Sequence, residues 1–366
     1  MESLTKKFAA GMERIAADYG LVLREVAVAV SGGADSLALA FLLREYVKEH
    51  GGRAVMLTVN HHLRPEAGAE AEMVAALAAE WGMEHHILNW FPDQTSGSLE
   101  EKARLGRYRL LEEWCVAHEI EYLLTAHHQT DQAETFLMRL QRGSGVDGLA
   151  SIQPFSRRGR INLIRPLLDI DPAELKGLLR NNQIGWAEDV SNECDDFLRV
   201  RMRKFLPRLE KETGISVRRL AETAKALSEA RAYFENETDQ FVNRYVRYFE
   251  QIAASISPTA LNALHPELKR RVLARLLRQI GGGNYPPEYE ELERLLKTMA
   301  DPHFRGCTLG GCVLVPFQKR LWIVGESKEK KTPDSLPWKD FVQRFPAYEK
   351  MVIPHALKCL LTTRQK

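Results

Sequence analysis

Cysteines are few in this sequence, and long apolar runs are missing. The five cysteines among 366 residues are odd in number and scattered, which does not fit a disulfide framework or a zinc site built from paired CxxC motifs. No stretch of about 18 apolar residues occurs that could span a membrane, and no signal-peptide pattern precedes the first helix. These absences predict a cytoplasmic protein with no membrane partner and with reduced, unligated thiols.

An excess of charge of either sign is also missing. The 51 Lys and Arg residues against 49 Asp and Glu give a formal net charge of +2, so a nucleic-acid surface would have to come from local clusters. Hydrophobic residues make up 45% and charged residues 27%, which is the balance of an ordinary globular protein. We expect two or more domains, because a single core rarely grows to this size.

Short apolar runs alternate with longer helical patterns in the first half of the chain. Strands are predicted over 25–30, 54–59, 85–88 and 122–125, and helices over 36–49, 66–81 and 99–118. This order is typical of βαβ units, so the predicted fold class is α/β, a parallel sheet with helices on both faces. Residues 154–166 are expected to form a loop, and a helix should then begin at Pro172 with Asp171 as its cap.

The second half is predicted to be mainly helical from 216 to 299, with a break at the three glycines 281–283. A hairpin-like segment over 307–324 follows, and then a charged stretch that contains prolines. The predicted organisation is a catalytic domain over 1–210, a mainly α domain over 211–300, a short β-hairpin region over 301–330, and a linker and tail over 331–366.

A glycine-rich loop with the sequence SGGADS stands at residues 31–36, between the first strand and the first crossover helix. Two adjacent glycines let a phosphate approach the backbone, and the following helix N-terminus presents free N–H groups and a positive dipole end. A string of this kind also occurs as a simple turn with a helix cap. Its position at the carboxyl end of a parallel strand favours the phosphate site.

The loop resembles the SGGxDS motif of the N-type ATP pyrophosphatases, the PP-loop superfamily, which split ATP between its α and β phosphates. The resemblance implies that the loop binds ATP through Ser31, Gly32, Gly33, Ala34, Asp35 and Ser36. This motif alone indicates a superfamily and leaves the substrate open.

Further motifs resemble those of one family in that superfamily, the tRNA(Ile)-lysidine synthetases, and they follow in the family's order. They are VNHHLR at 59–64, EEKARLGRY at 100–108, HHQTDQAET at 127–135, IRPLL at 164–168 and EDVSN at 188–192. The segment 199–207 departs from the family pattern, because Val200 and Lys204 replace its Asn and His. Any role specific to those two family side chains is therefore not carried over.

The resemblance implies an ATP-dependent ligase that forms a C–N bond in tRNA modification. It would adenylate the C2 carbonyl oxygen of the wobble cytidine in the CAU anticodon of tRNA(Ile) and then join L-lysine to that base. The implied partners are ATP, L-lysine and this tRNA, Mg²⁺ is the implied cofactor, and a homodimer is left open. The implied catalytic residues are Asp35, Arg104, Asp131 and Glu134, with His61, His127 and His128 as further ATP contacts.

Asp131 and Glu134 stand three residues apart in a predicted helix, so both carboxylates are expected on one face. Such a pair can hold either Mg²⁺ or an ammonium group, and the sequence leaves that choice open. Asp35 and Asp131 are the candidate Mg²⁺ ligands. Arg104 is the candidate clamp for ATP or for the lysine carboxylate, although its spacing alone also fits an exposed, charged helix face.

Two basic segments are candidates for contact with tRNA. Eight basic residues stand against two acidic ones over 199–219, and three arginines share one stripe of a later predicted helix. Charged faces are often only solvated, and proximity to an RNA-modifying site favours RNA contact. The candidate residues are Arg139, Arg142, Arg199, Arg201, Arg203, Lys204, Arg271, Arg275 and Arg278.

Other functions compatible with the loop are a tRNA thiolation enzyme, an ammonia-using ligase of the NAD or GMP synthetase type, and a non-enzymatic nucleotide-sensing or RNA-binding module. The first would need active-site cysteines or an iron-sulfur site, for which the cysteine spacing gives no pattern. The HHQTDQAET match disfavours the second. The third would bind without releasing pyrophosphate.

Overall fold

The structure is a computed structural model, and it describes residues 3–91, 99–188, 198–249, 253–283 and 285–326. The chain divides into two compact units, Met1–Arg231 and Ala232–Lys366. The boundary between the units follows Arg231, which is later in the chain than the predicted domain end at 210, and it falls within the helix Val217–Tyr245. The predicted four-part organisation stays a prediction.

The first unit alternates strands and helices as predicted. Its elements are α1 (Leu4–Tyr19), β1 (Glu25–Ala29), α2 (Ala34–His50), β2 (Arg53–Asn60), α3 (Ala67–Trp81), β3 (Glu84–Asn89), α4 (Leu99–Ala117), β4 (Tyr122–Leu124), α5 (Gln129–Gln141), α6 (Val146–Leu149), β5 (Phe155–Arg158), β6 (Ile161–Ile164), α7 (Pro172–Asn181) and α8 (Leu198–Thr213), and α9 (Val217–Tyr245) continues into the second unit. The Asp171 side chain accepts a hydrogen bond from the Ala173 N–H (2.8 Å), which confirms the predicted helix start.

One six-stranded sheet runs through this unit in the order β3-β2-β1-β4-β6-β5. All neighbouring pairs are parallel except β5 with β6, and helices cover both faces, so the predicted α/β class is confirmed. The alternation of side chains along β1 explains the layers, since Val26 and Val28 pack towards α1, α2 and α7, whereas Ala27 packs towards α4.

The expected loop over 154–166 is wrong, because β5 and β6 form a hairpin there. Ile161 and Ile164 are buried in the sheet, and Gly159 turns the chain with a φ of 53°. These strands are four residues each and carry Ser, Arg and Asn. Their apolar signal is therefore too short to distinguish them from a turn.

The second unit has an antiparallel sheet with helices packed on it. Its elements are β7 (Val246–Phe249), β8 (Ala253–Ile256), α10 (Pro258–Asn262), α11 (Pro266–Gly281), α12 (Tyr289–Met299), β9 (Cys307–Leu309), β10 (Cys312–Phe317) and β11 (Arg320–Gly325). The strand order is β7-β8-β11-β10-β9. The predicted hairpin is therefore part of a five-stranded sheet, to which the expected helical domain contributes β7 and β8.

No helix in the described ranges is both long and apolar enough to cross a membrane.

Candidate active site

The glycine loop has a fixed shape at the end of β1. The Gly32 φ of 86° lies in the left-handed region that favours glycine, and its carbonyl accepts the Ala187 N–H at 2.9 Å. Ser36 Oγ accepts the Ser31 N–H at 3.1 Å and donates to the Gly33 carbonyl at 2.9 Å. Gly33 caps α2, so the loop ends at the positive end of a 17-residue helix. This is a phosphate-binding geometry.

Two carboxylates lie on either side of His128, beside that loop. Asp35 Oδ2 lies 3.4 Å from His128 Nε2, and Asp131 Oδ2 lies 3.6 Å from His128 Nδ1 and accepts the His128 backbone N–H at 2.9 Å. Burial opposes the charge, but the hydrogen bond to Asp35 and the nearby carboxylates raise the pKa of His128 above its ordinary value. His128 therefore favours the protonated state and links the loop to α5.

His61 and His127 are neutral under the same physical rules. Burial, with Arg107 and Arg64 nearby, lowers the pKa of His61 to about 4. Burial also lowers the pKa of His127 to about 4 against the opposing charge of Asp131, and the Thr125 hydroxyl lies 3.0 Å from His127 Nδ1. Both rings line the cleft. They can offer hydrogen bonds there, but little positive charge at pH 7.

These groups surround a cleft of about 1090 Å³ at the carboxyl ends of the strands. Ser31, Gly33 and Ser36 line it from the loop, and Asp131 lines it from α5. This position is where ligands of parallel α/β sheets bind. This volume slightly exceeds the usual range of about 300 to 1,000 Å³ for small-molecule pockets, which leaves space for a nucleotide and a second group.

Helix α4 forms one wall of the cleft and is fitted against Trp90. Gly106 stands where α4 meets the indole, and a Cβ at that position would overlap the ring. Trp90 also packs edge-on against His61, with ring centroids 5.7 Å apart. The α4 side chains of the cleft, Arg104 among them, are therefore set by a close contact between helix and aromatic ring.

Two cleft arginines were not selected as site residues from the sequence. Arg107 and Arg165 line the cleft together with Arg104, and burial lowers the pKa of both. Each belongs to a motif that was quoted, EEKARLGRY or IRPLL. The signal was therefore present, but spacing alone could not tell which arginine of a motif faces the ligand.

The expected pairing of Asp131 with Glu134 in one pocket is not found. Asp131 lines the cleft, whereas the Glu134 side chain is 0% exposed and lies outside the lining set. Glu134 accepts a hydrogen bond from Arg203 Nε at 2.6 Å and lies 3.4 Å from Arg199 Nε. Burial raises the pKa of Glu134 despite these arginines. In this conformation Glu134 joins α5 to α8.

The candidate tRNA-contacting residues of the first unit differ in their exposure and in what they contact. Arg139 and Arg199 line the cleft, and Arg203 lies against Glu134. The remaining three, Arg142, Arg201 and Lys204, are exposed. Of the EDVSN motif, Glu188 is exposed and residues 189–192 lie outside the described residues.

The three arginines of the predicted basic stripe on α11 have different surroundings. The Arg271 side chain is 8% exposed and pairs with Glu267 at 2.8 Å and Glu235 at 3.3 Å. Arg275 is 15% exposed and contacts Glu235 and Asp239. Two of the three charges are thus neutralised by α9, and Arg278 is the exposed member.

The chain is similar in sequence to known proteins of one family. A family model described as a PP-loop domain matches residues 4–209. A tRNA(Ile)-lysidine synthase from Ruegeria pomeroyi is 36% identical over 312 residues, covering 84% of this chain and 73% of the relative. Another from a Bradyrhizobium strain is 38% identical over 298 residues, covering 78% of this chain and 81% of the relative.

A solved structure shares the fold. It is a U34-tRNA thiolase, NcsA, from Methanococcus maripaludis with its 4Fe-4S cluster, and it matches with a TM-score of 0.51 and 19% sequence identity. The match covers 61% of this chain and 78% of that one. At this identity the likeness concerns the fold alone.

Proposed function

Since the chain belongs to the tRNA(Ile)-lysidine synthase family of PP-loop ligases, we propose that it makes lysidine at the wobble position of tRNA(Ile). ATP at the loop 31–36 would adenylate the C2 carbonyl oxygen of the wobble cytidine in the CAU anticodon. L-Lysine would then displace AMP from the activated base.

The two steps balance as follows. The cytidine O2 attacks the α phosphorus, the bond from that phosphorus to the oxygen bridging to the β phosphorus breaks, and pyrophosphate leaves. An amine of lysine then attacks C2, the C2–O2 bond breaks, AMP leaves with that oxygen, and the amine loses a proton. The protein's contribution is to position the reactants and to stabilise charge on the transferring phosphoryl group.

The observation that carries this proposal is the single cleft that joins the phosphate loop to Asp131 and to a set of arginines. One end suits a triphosphate because of the helix N-terminus and the Gly33 backbone. The lining also supplies the Asp131 carboxylate for a cationic amine and guanidinium groups for anions. ATP, a base and an amino acid need these surroundings side by side.

Mg²⁺ fits the carboxylates beside the loop. Asp35 Oδ1 is buried and has no hydrogen-bond partner among the described residues, so an oxygen ligand is available there. Within the described ranges no three His, Cys, Asp or Glu side chains converge as a metal site, and Mg²⁺ commonly uses one or two carboxylates together with substrate phosphates. We propose Asp35 as its protein ligand, where the ion would neutralise phosphate charge, and we assign Asp131 to the amine of lysine.

The thiolation alternative gains no support from the described thiols. Cys115, Cys307 and Cys312 lie outside the cleft lining, and burial raises the pKa of Cys115 to about 12, which keeps it unreactive. The relatives with substantial identity carry the lysidine synthase name, which also disfavours an ammonia-using ligase. A homodimer stays a prediction.

The test is pyrophosphate release from ATP with tRNA(Ile) carrying a CAU anticodon, measured with and without lysine. We expect release to require the tRNA, and we expect lysidine and AMP to appear only when lysine is added. Elongator tRNA(Met) is the matched control, because it carries the same anticodon on a different body. Asp35→Asn should abolish release while leaving tRNA affinity near that of the unmodified protein. Pyrophosphate release that ignores tRNA would contradict the proposal.

A further inference from the structure

Some guanidinium groups in the cleft have carboxylate partners, such as Arg64 with Glu70 and Arg199 with Glu134, and others do not. Arg104, Arg107 and Arg165 all line it, and none of them has an ion pair with a described residue. Of the acidic side chains in the lining, Glu70 lies 3.3 Å from Arg64 and Asp131 lies beside His128. Positive charge of this kind, held in a half-buried site, is favourable only when an anion binds there.

Arg165 is held in place by its own neighbours. Its Nη1 donates to the Gln153 carbonyl at 2.8 Å and to Ser156 Oγ at 3.0 Å, which fixes the plane of the guanidinium. Burial lowers the pKa of Arg165, and the charges of Arg104 and Arg158 lower it further against Tyr108. A pre-oriented guanidinium in low dielectric is suited to bidentate recognition of an oxyanion.

Arg107 lines the same cleft from α4, and both Arg107 and Arg165 act on the pKa of His127. Burial lowers the pKa of Arg107, and the charge of Arg104 adds to that effect. Arg107 also lowers the pKa of His61 and of His127, so its charge acts between the ends of β2 and β4. Arg104 differs from both because its side chain is exposed at the helix surface.

Arg165 stands apart from the glycine loop in the sheet. Arg165 follows β6, which is two strands away from β1 in the sheet, a separation of roughly 10 Å at the usual strand spacing. Asp131 lies between the two, after β4. A zwitterionic amino acid with a second amine presents a carboxylate and a cation in this arrangement.

We propose that Arg107 and Arg165 bind the α-carboxylate of the amino-acid substrate, with Asp131 on the side of its amine. The inference rests on the proposed lysidine reaction and moves the carboxylate clamp from Arg104 to this half-buried pair. It also gives a chemical reason for choosing an amino acid over a simple diamine, since the pair would remain without an anion when a diamine binds.

The test compares lysine with cadaverine, which has the same chain and two amines but no carboxylate. Lysine incorporation into tRNA(Ile) is measured for Arg107→Gln and Arg165→Lys, with cadaverine as a competing ligand. The variants should raise the lysine KM by about ten- to a hundredfold and leave the cadaverine inhibition constant within about twofold. Arg157→Gln is the matched control, because Arg157 is exposed on the neighbouring strand and lies outside the cleft lining.

Pyrophosphate release measured without lysine shows whether each variant is folded and still uses ATP, independently of lysine binding. We expect this release to fall by much less than the lysine KM rises in both variants, and to stay at the unmodified level in Arg157→Gln. Loss of that release would assign the pair to ATP phosphates and overturn the inference. An equal loss for lysine and cadaverine would overturn it too, as would weaker tRNA binding with a reduced salt slope, which would assign the pair to an RNA phosphate. A failure of lysine transfer in the unmodified protein would instead remove the proposed function itself.

Discussion

Two adjacent histidines at the end of β4 titrate in opposite directions, and this makes a prediction at the scale of single residues. The folded pKa of His128 is raised, so its protonation stabilises the fold below the ordinary pKa, and the contribution is lost as pH rises through the folded value. The folded pKa of His127 is about 4, so stability is lost as pH falls from about 6.5 towards 4.

His128→Gln should therefore cost more stability at pH 6 than at pH 9, whereas His127→Gln should gain stability relative to the unmodified protein between pH 7 and pH 5. The measurement is urea unfolding of both variants and of the unmodified protein from pH 5 to pH 9. Each variant is the control for the other, since the substitutions are alike and the slopes differ in sign. Parallel pH profiles for all three proteins would contradict the assigned surroundings.

Substitutions of Glu134 and Asp131 should have different effects, one on the free energy of unfolding and the other on the lysine KM. Glu134→Gln should lower the free energy of unfolding by about 1 to 3 kcal/mol, because two arginines lose a buried carboxylate, and it should leave the lysine KM near its original value. Asp131→Asn should raise the lysine KM by about tenfold or more. A stable Glu134→Gln protein with a raised lysine KM would return Glu134 to the pocket and favour the sequence-based pairing.

At the scale of elements, helix α11 carries a row of arginines that resembles an exposed basic surface but is partly paired with a neighbouring helix. Arg275 contacts Glu235 and Asp239 of α9, whereas Arg278 on the same helix is exposed. Arg275→Met should lower the free energy of unfolding by about 1 kcal/mol and leave the salt dependence of tRNA binding unchanged. Arg278→Gln is the matched variant, with stability preserved and at most about one unit lost from the salt slope. A reduced salt slope in Arg275→Met with unchanged stability would instead support the predicted contact of this stripe with tRNA.

Elements with long apolar runs were predictable, whereas most of the four-residue strands were not. β1 and β2 are nearly apolar and buried on both faces, so their bounds follow from hydrophobicity to within one residue. β5 to β8 have four residues each, and their strand conformation depends on partners that are distant in the chain. The same reason explains α11, because Glu235 is 36 residues away from Arg271.

The candidate site shows the same difference between features set by local sequence and features set by distant contacts. Motif order predicted the loop, which directly follows β1, and Asp131, which lies in the first turn of the helix after β4. The choice between Arg104 and Arg107 required knowing which face of α4 meets the sheet, and that depends on Tyr108 and Leu111 packing against β1 and β2. Glu134 looked like a pocket residue because the position of α8 could not be deduced from local spacing.

At the scale of the whole molecule, a net charge of +2 means that tRNA binding must come from local groups. Arg142 and Arg201 are exposed in the first unit. Replacing both with Gln should reduce the slope of log affinity against log salt by about two, roughly one per lost phosphate contact. Arg208 and Arg218 are equally exposed but already paired with Glu212 and Glu222 at 2.7 and 2.8 Å. The double Gln variant of that pair should leave the slope almost unchanged, and equal effects of the two double variants would show that exposure alone does not select the contacts.

The fit of Trp90 against Gly106 also has an optical consequence. The indole is 5% exposed, touches a helix that carries cleft side chains, and lies beside a cleft imidazole. Its emission is therefore sensitive to small displacements of α4 and to changes at His61, in a chain with six tryptophans. The spectrum of the protein minus that of a Trp90→Phe variant isolates this one fluorophore, so occupancy of the cleft can be followed in solution without a label.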